Sequence, residues 1–467
     1  MKVRAIVLTL IIALLASFGV FAQEEGDTIA DIVVASATDD TPEFTILLAA
    51  VQAADPSVLE ALSNPDADLT VFAPTDAAFA EMPGFVLDYL LANPALLTDM
   101  LLYHVVEGSV MSTDVLGLED GAMIPTLQGS ELTLNLDLDN MSVKLDNAQV
   151  VLDMIDIEAS NGVIHVIDSV LVPPVELPEV DPLAVTDNIV VAGSSTVFPV
   201  TSRMADLFNQ DGFAGTITVD SVGTGAGFER FCVNAETDIS NASRPIKQEE
   251  IDACAQNGRT AFPLYVAIDA LAVVVDQSND FAYDLTLEQL AAIYSGEVTA
   301  WNEINPEWPA ETIRVSSPGS DSGTYDYFVE EVLDGDEALI QSVPGIQFSE
   351  NDNVLVNNVV GDPYAIAYFG FAYYQENQGS LRVLNIEGIE PNEETGSTFT
   401  YPLSRPLFIY SAPEIIREKP QVGAFLVYYL QNVESQLGGG EGEIGYIPTN
   451  AFDARRDALY LLAALGE

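Results

Sequence analysis

The chain has 467 residues, of which 72 are Asp or Glu and 15 are Lys or Arg, giving a formal net charge of -57. So acidic an inventory argues against nucleic acid and against anionic membrane surfaces as partners, because phosphate backbones need a basic face. With 48% apolar residues the chain is no disordered acidic tail, and its length suits two to four domains with cores of their own.

Lys2 and Arg4 precede an apolar run from Ala5 to Ala22, followed by Gln23-Glu24-Glu25. A basic start, an apolar stretch and a small residue before a charged segment describe a secretory signal peptide over 1–22. An uncleaved anchor is the alternative, since about 18 apolar residues is the lower limit for spanning a bilayer. No cysteine follows the run, so lipid attachment there is not expected. The expected location is outside the cytoplasm, periplasmic or at the cell surface.

From Glu43 to Leu62 apolar residues recur at helical spacing. Leu69 to Phe79 then reads as a strand, a turn at Pro74 and a helix capped by Thr75 or Asp76. Strand-like alternation returns over Glu131–Leu138 and Met141–Leu145, and again after the Asn161-Gly162 turn through Val172. His104 and His165 are the two histidines; flanked by apolar residues and far apart in sequence, they read as hydrogen-bonded interior groups and not as a metal site. Three blocks, Thr70-Val71-Phe72-Ala73-Pro74-Thr75-Asp76, Tyr103-His104-Val105 and Gly162-Val163-Ile164-His165-Val166-Ile167-Asp168, resemble the fasciclin domain in order across 27–174. The resemblance implies an α/β fold, a β-sandwich-like wedge with helices, and attachment to a cell-surface or matrix component.

Residues 175–188 carry Pro178 and Pro182 among acidic residues and read as an extended linker. After Arg4 the first part of the chain holds one basic residue, Lys144; the other twelve run from Arg203 to Arg456. An anion site is therefore expected in the second part. That part also holds Cys232 and Cys254, the only cysteines, for which an oxidising compartment favours a disulfide over two free thiols.

Three times in the second part an apolar strand runs into small or hydroxyl residues and then a helical period. The junctions are Gly193-Ser194-Ser195-Thr196-Val197, Gly223-Thr224-Gly225-Ala226-Gly227 and Ser320-Asp321-Ser322-Gly323-Thr324. Helix N-termini present unpaired N–H groups and about half a positive charge, the requirement of a bound oxyanion. Ser243-Arg244 adds a hydroxyl and a guanidinium with paired donors. The glycine-rich run lacks the Lys-Ser/Thr ending of a P-loop and the spacing of a dinucleotide fingerprint.

These junctions, with Tyr401-Pro402-Leu403-Ser404-Arg405-Pro406-Leu407 as a block away from the ligand, are similar to the PstS-type periplasmic phosphate-binding proteins of ABC importers. The resemblance covers about residues 187–450, the domain itself being assigned to 189–455, and implies a two-lobed α/β periplasmic-binding-protein fold, making the chain α/β overall. It implies phosphate contacts from Ser195, Thr196, Val197, Thr224, Ser243, Arg244, Ser322, Gly323 and Thr324, with an ABC permease as partner. Members of the family carry an aspartate near the place of Ser243-Arg244 to accept the proton of hydrogen phosphate; here Asp321 is expected to supply it. The function expected is phosphate binding without catalysis, metal or cofactor. The alternative is a surface or matrix adhesion protein whose phosphate-type domain is a sensor or scaffold, or binds another oxyanion.

Overall fold

Proline and hydroxyl punctuation divides the helical stretch before the first strand. The computed structural model describes residues 26–115, 117–137, 141–320, 322–349, 351–438 and 444–466; the expected leader 1–22 and Asp321 lie outside them. The period over Glu43–Leu62 resolves into two helices, Thr45–Ala53 and Pro56–Ser63. Pro56 has no N–H for a continuing helix, and the Asp55 carboxylate instead caps the second one at Ser57 N–H, 2.9 Å. Thr75 caps the helix Asp76–Ala80 through Ala78 N–H, 3.0 Å.

The chain divides into two units, residues 1–176 with 458–467, and residues 177–457. In the first unit a four-stranded sheet has Leu69–Pro74 and Gly162–Ile167 as its parallel centre, flanked by Val105–Glu107 and Ile157–Ala159. A second, antiparallel sheet runs Met123–Pro125, Glu131–Asp137, Ser142–Leu145 and Ala148–Gln149. Phe72, Leu132, Leu134, Leu145 and Ile167 from both sheets share one apolar cluster. Both histidines are buried: His104 Nδ1–H donates to Met100 O at 2.8 Å while its Nε2 accepts from Leu171 N–H at 3.0 Å. The linker region contains one ordered turn, Pro182–Ala184, capped by Asp181 at Leu183 N–H, 3.0 Å.

The second unit is built on one mixed sheet. Its order is Ile217–Ser221, Ile189–Gly193, Ile239–Ala242, Ser404–Ser411, Phe262–Asp276, Ala365–Gly370, Arg314–Pro318 and Gln347–Ser349. The 15-residue strand Phe262–Asp276 joins two lobes: its first part pairs with Ser404–Ser411, and Leu271 onward pairs with Ala365–Gly370. It reads as a near-continuous apolar run, and its side chains are buried along almost its whole length. Parallel strands on either side of this crossing aim their C-terminal ends at one crevice, where open α/β sheets bind ligands. Cys232 and Cys254 form a disulfide between the turn Glu229–Val233 and the helix Gln248–Gln256. Among the described residues no single helix is long and apolar enough to cross a membrane.

Candidate functional site

Two of the three glycine- and hydroxyl-rich junctions, at Ser194–Thr196 and at Gly223–Gly225, line one polar cavity of about 560 Å³, measured out to its mouth, and the helix that follows the third brings Asp326 and Glu330 to it. Ser195 and Thr196 reach it from the turn after Ile189–Gly193, just before the helix Phe198–Gln210, for which Val197 is the N-cap. Thr224 and Ser243 reach it from the next two strand ends. Thr224 Oγ1 accepts from Ser243 N–H at 3.2 Å and lies 3.1 Å from Ser243 Oγ, so these hydroxyls hold each other in place.

The turn at Gly223 needs its residue type, because φ is +83° there and a side chain would be strained. Gly323 is required for a different reason. A Cβ on it would stand 2.4 Å from Thr196 Cα, so the opposing lobes touch backbone to backbone at this point. Thr196 Oγ1 donates to Gly323 O at 3.2 Å, and Ser195 Oγ donates to Asp326 Oδ2 at 2.5 Å. The cleft is thus closed, with Ser322 capping the helix Gly323–Val332 through Thr324 N–H at 3.2 Å.

Arg244 lines the cavity, but its two-pronged donor face is turned to Glu250, with Nη1 and Nη2 at 2.9 and 2.8 Å from the carboxylate oxygens. The hydrogen bond to Glu250 leads the effects that raise the Arg244 pKa. The guanidinium at the centre is instead that of Arg405, in the block the sequence reading set apart from the ligand. It is 7% exposed, and its Nη2 donates to Thr196 Oγ1 at 2.7 Å and to Gly323 O at 3.2 Å, one group from each lobe. Nε donates to Asp269 Oδ2 at 3.2 Å, and the guanidinium lies 3.8 Å from the centre of the Tyr327 ring. Asp269 and Arg405 face each other across the strand pair that joins the lobes. Burial raises the Asp269 pKa, and the nearby Arg405 charge only partly opposes it. Among the described residues Asp269 Oδ1 is buried without a hydrogen-bond partner.

Asp321, the expected proton acceptor, is outside the described residues. Two other carboxylates line the cavity, Asp326 and Glu330, the latter with Oε2 3.7 Å from Arg405 Nη1. No spacing rule would have selected Asp326 from the sequence; it stands one helical turn beyond the capping Ser322. Among the described residues no group of three or more His, Cys, Asp and Glu side chains is placed to hold a metal ion. The arrangement offers hydroxyls, helix N-termini and one central guanidinium to an anion, and carboxylate acceptors to any proton that the anion carries.

A family model described as the PBP superfamily domain matches residues 181–433, and one described as the fasciclin domain matches residues 42–173. Protein SphX of Synechococcus elongatus is 40% identical over 274 residues, 56% of this chain and 77% of that protein. The phosphate-binding protein PstS of Staphylococcus saprophyticus is 35% identical over 245 residues, 51% of this chain and 75% of its own length. The crystal structure of a possible phosphate binding protein from Planctomyces limnophilus superposes with a TM-score of 0.55 at 34% identity, covering 60% of this chain and 99% of that one.

Proposed function

Because the chain belongs to the PBP superfamily and carries a fasciclin domain ahead of that unit, we propose that it is an exported substrate-binding protein. It captures inorganic phosphate between two lobes and passes it to an ABC permease. The phosphate named for the PstS relative supports the ligand. The leader 1–22 carries the chain out of the cytoplasm, the domain 27–174 attaches it to a cell-surface or matrix component, and the domain 189–455 binds without catalysing.

The observation that carries the reading is Arg405, a buried guanidinium held by Thr196 of one lobe and Gly323 of the other inside a closed polar cleft. A guanidinium has five N–H donors, and a desolvated oxyanion draws on those at Nη1. The hydroxyls of Thr196, Thr224 and Ser243 and the helix starts at Val197 and at Ser322, Gly323 and Thr324 complete the coordination, with Ser195 and Arg244 at its edge. Anion binding favours the closed arrangement over the open one and so shifts the population.

Asp326, which lines the cavity, shares the acceptor role with Asp321, the acceptor expected from the sequence. An ionised carboxylate accepts hydrogen bonds and donates none, so it receives the proton of hydrogen phosphate and repels sulfate, which carries none. Calorimetric titration of the full chain with phosphate and with sulfate tests both statements. Phosphate is expected to bind one per chain with sulfate silent, and Asp326→Asn to weaken phosphate while admitting sulfate. A wild-type chain that binds sulfate as tightly as phosphate would overturn the selectivity argument, and one that binds neither would overturn the function.

A further inference from the structure

The first unit holds a cavity for which the anion site has no use. It lies between the unit's two sheets, with a buried floor of Phe72, Val106, Leu134, Leu145 and Val150. Its rim is half-buried or exposed and equally apolar, formed by Val115, Ile124, Val143, Leu152 and Ile155. The hollow has about 70 Å³ of room for the centres of water-sized spheres, several times what one water needs. Protein interiors are close-packed, with few voids larger than a water molecule, so a hollow of this size between two sheets departs from ordinary packing.

Three lining side chains carry polar atoms, and each directs them into the wall. Thr70 Oγ1 donates to Gly108 O at 2.6 Å and accepts from Val110 N–H at 2.8 Å. Ser112 Oγ donates to the Asp156 carboxylate. His165 Nε2–H donates to Val110 O at 2.8 Å, its Nδ1 accepts from Asp156 N–H at 3.3 Å, and its ring stacks on Phe72. What faces the space is therefore carbon. A polar or charged group entering it would shed water and gain no partner.

Charge narrows the ligand further. Lys144 is the one basic residue between Arg4 and Arg203. It sits between Val143 and Leu145 on one strand, and since both of those line the cavity, Lys144 projects from the opposite face. The rim thus offers no cation to an anionic head group.

We propose that the first unit binds an uncharged molecule with an alkyl chain, the chain between the two sheets and the polar end at the rim. N-phenyl-1-naphthylamine, a neutral dye whose emission rises on leaving water, is the probe for the full-length chain. The expected result is a saturable rise, one dye per chain, reversed by dodecan-1-ol at concentrations about tenfold below those of ionised dodecanoate. Val143→Trp, which lays an indole across the rim, is expected to weaken dye binding about tenfold or more while phosphate titration and circular dichroism stay as in the parent. Ile155→Trp repeats the test from the other side of the mouth should the first variant fold poorly. A dye response that does not saturate, one that survives in a natively folded rim variant, or equal displacement by the alcohol and the carboxylate would overturn the proposal.

Discussion

Arg405 has two tasks that a substitution can separate. Its charge compensates Asp269, which is fully buried, and its Nη groups serve the cleft. Removing one member of a buried ion pair costs about 3–5 kcal/mol because the other charge is left without a partner. Arg405→Gln is therefore expected to lower the melting temperature of the second unit and abolish calorimetrically detectable phosphate binding. Adding Asp269→Asn should recover most of the stability and none of the binding; recovery of both would show that Arg405 is structural only. Arg405 escaped the sequence reading because its place depends on strand register, Asp269 opposite Arg405, across 136 residues of chain. Arg244 was conspicuous for the opposite reason, a local one, since it follows a hydroxyl at a strand end. Nothing local announced that Glu250, six residues on, would take its donors.

The strand–turn–helix element was legible because its signals are short-range: an apolar run, glycine or hydroxyl punctuation, then a helical period. Three such elements were read from sequence; the structure brings two of the junctions to one cavity, and from the third element only the helix side chains Asp326 and Glu330. How closely they approach was not legible, since Gly323 looks like any glycine at a helix start. Its missing side chain admits Thr196 from the other lobe, and the proposed closure of the cleft depends on that approach. Gly323→Ala is thus expected to cost phosphate affinity by about 100-fold or more while leaving the ligand-free melting temperature unchanged. Parent-like affinity in that variant would mean that closure tolerates a wider gap than the 2.4 Å approach implies. The Cys232–Cys254 bridge ties the next helix to the turn beside it across 22 residues. Loop-closure entropy makes it worth about 3 kcal/mol, so Cys232→Ser with Cys254→Ser should lower the second unit's denaturation midpoint with little change in phosphate affinity. A midpoint equal to the parent's would show the reduced chain to be as constrained as the oxidised one.

At the scale of the whole chain, the net charge of -57 argues against nucleic acid as a partner yet is compatible with an anion ligand. Exposed charges are screened over about 8 Å at physiological ionic strength, whereas a closed cleft feels its own donors. The two units also carry buried groups that titrate with opposite consequences. In the first, burial lowers the His104 pKa to about 4 from 6.5, so the unfolded chain binds a proton that the folded one refuses. That term is harmless above pH 6.5 and removes stability as pH falls toward 4, by roughly 3 kcal/mol in full. In the second, burial raises the Asp457 pKa to about 7 from 3.8, its contacts with Arg456 and the Tyr265 N–H notwithstanding. Folded protein then holds a proton that unfolded protein releases, so stability falls as pH rises from 3.8 toward 7. Burial raises Asp269 and Glu331 in the same direction, while the lowered carboxyls Glu250 and Asp276 lose their contribution only below their ordinary values of 4.5 and 3.8. Scanning calorimetry in phosphate-free buffers between pH 4.5 and 7 should resolve two transitions that move apart in sense, the first unit's rising with pH and the second's falling. His104→Gln should flatten the first and Asp457→Asn the second. Two transitions that shift together, or one that the Asp457→Asn change leaves as steep as before, would place the pH dependence in the general surface charge and not in these two buried groups.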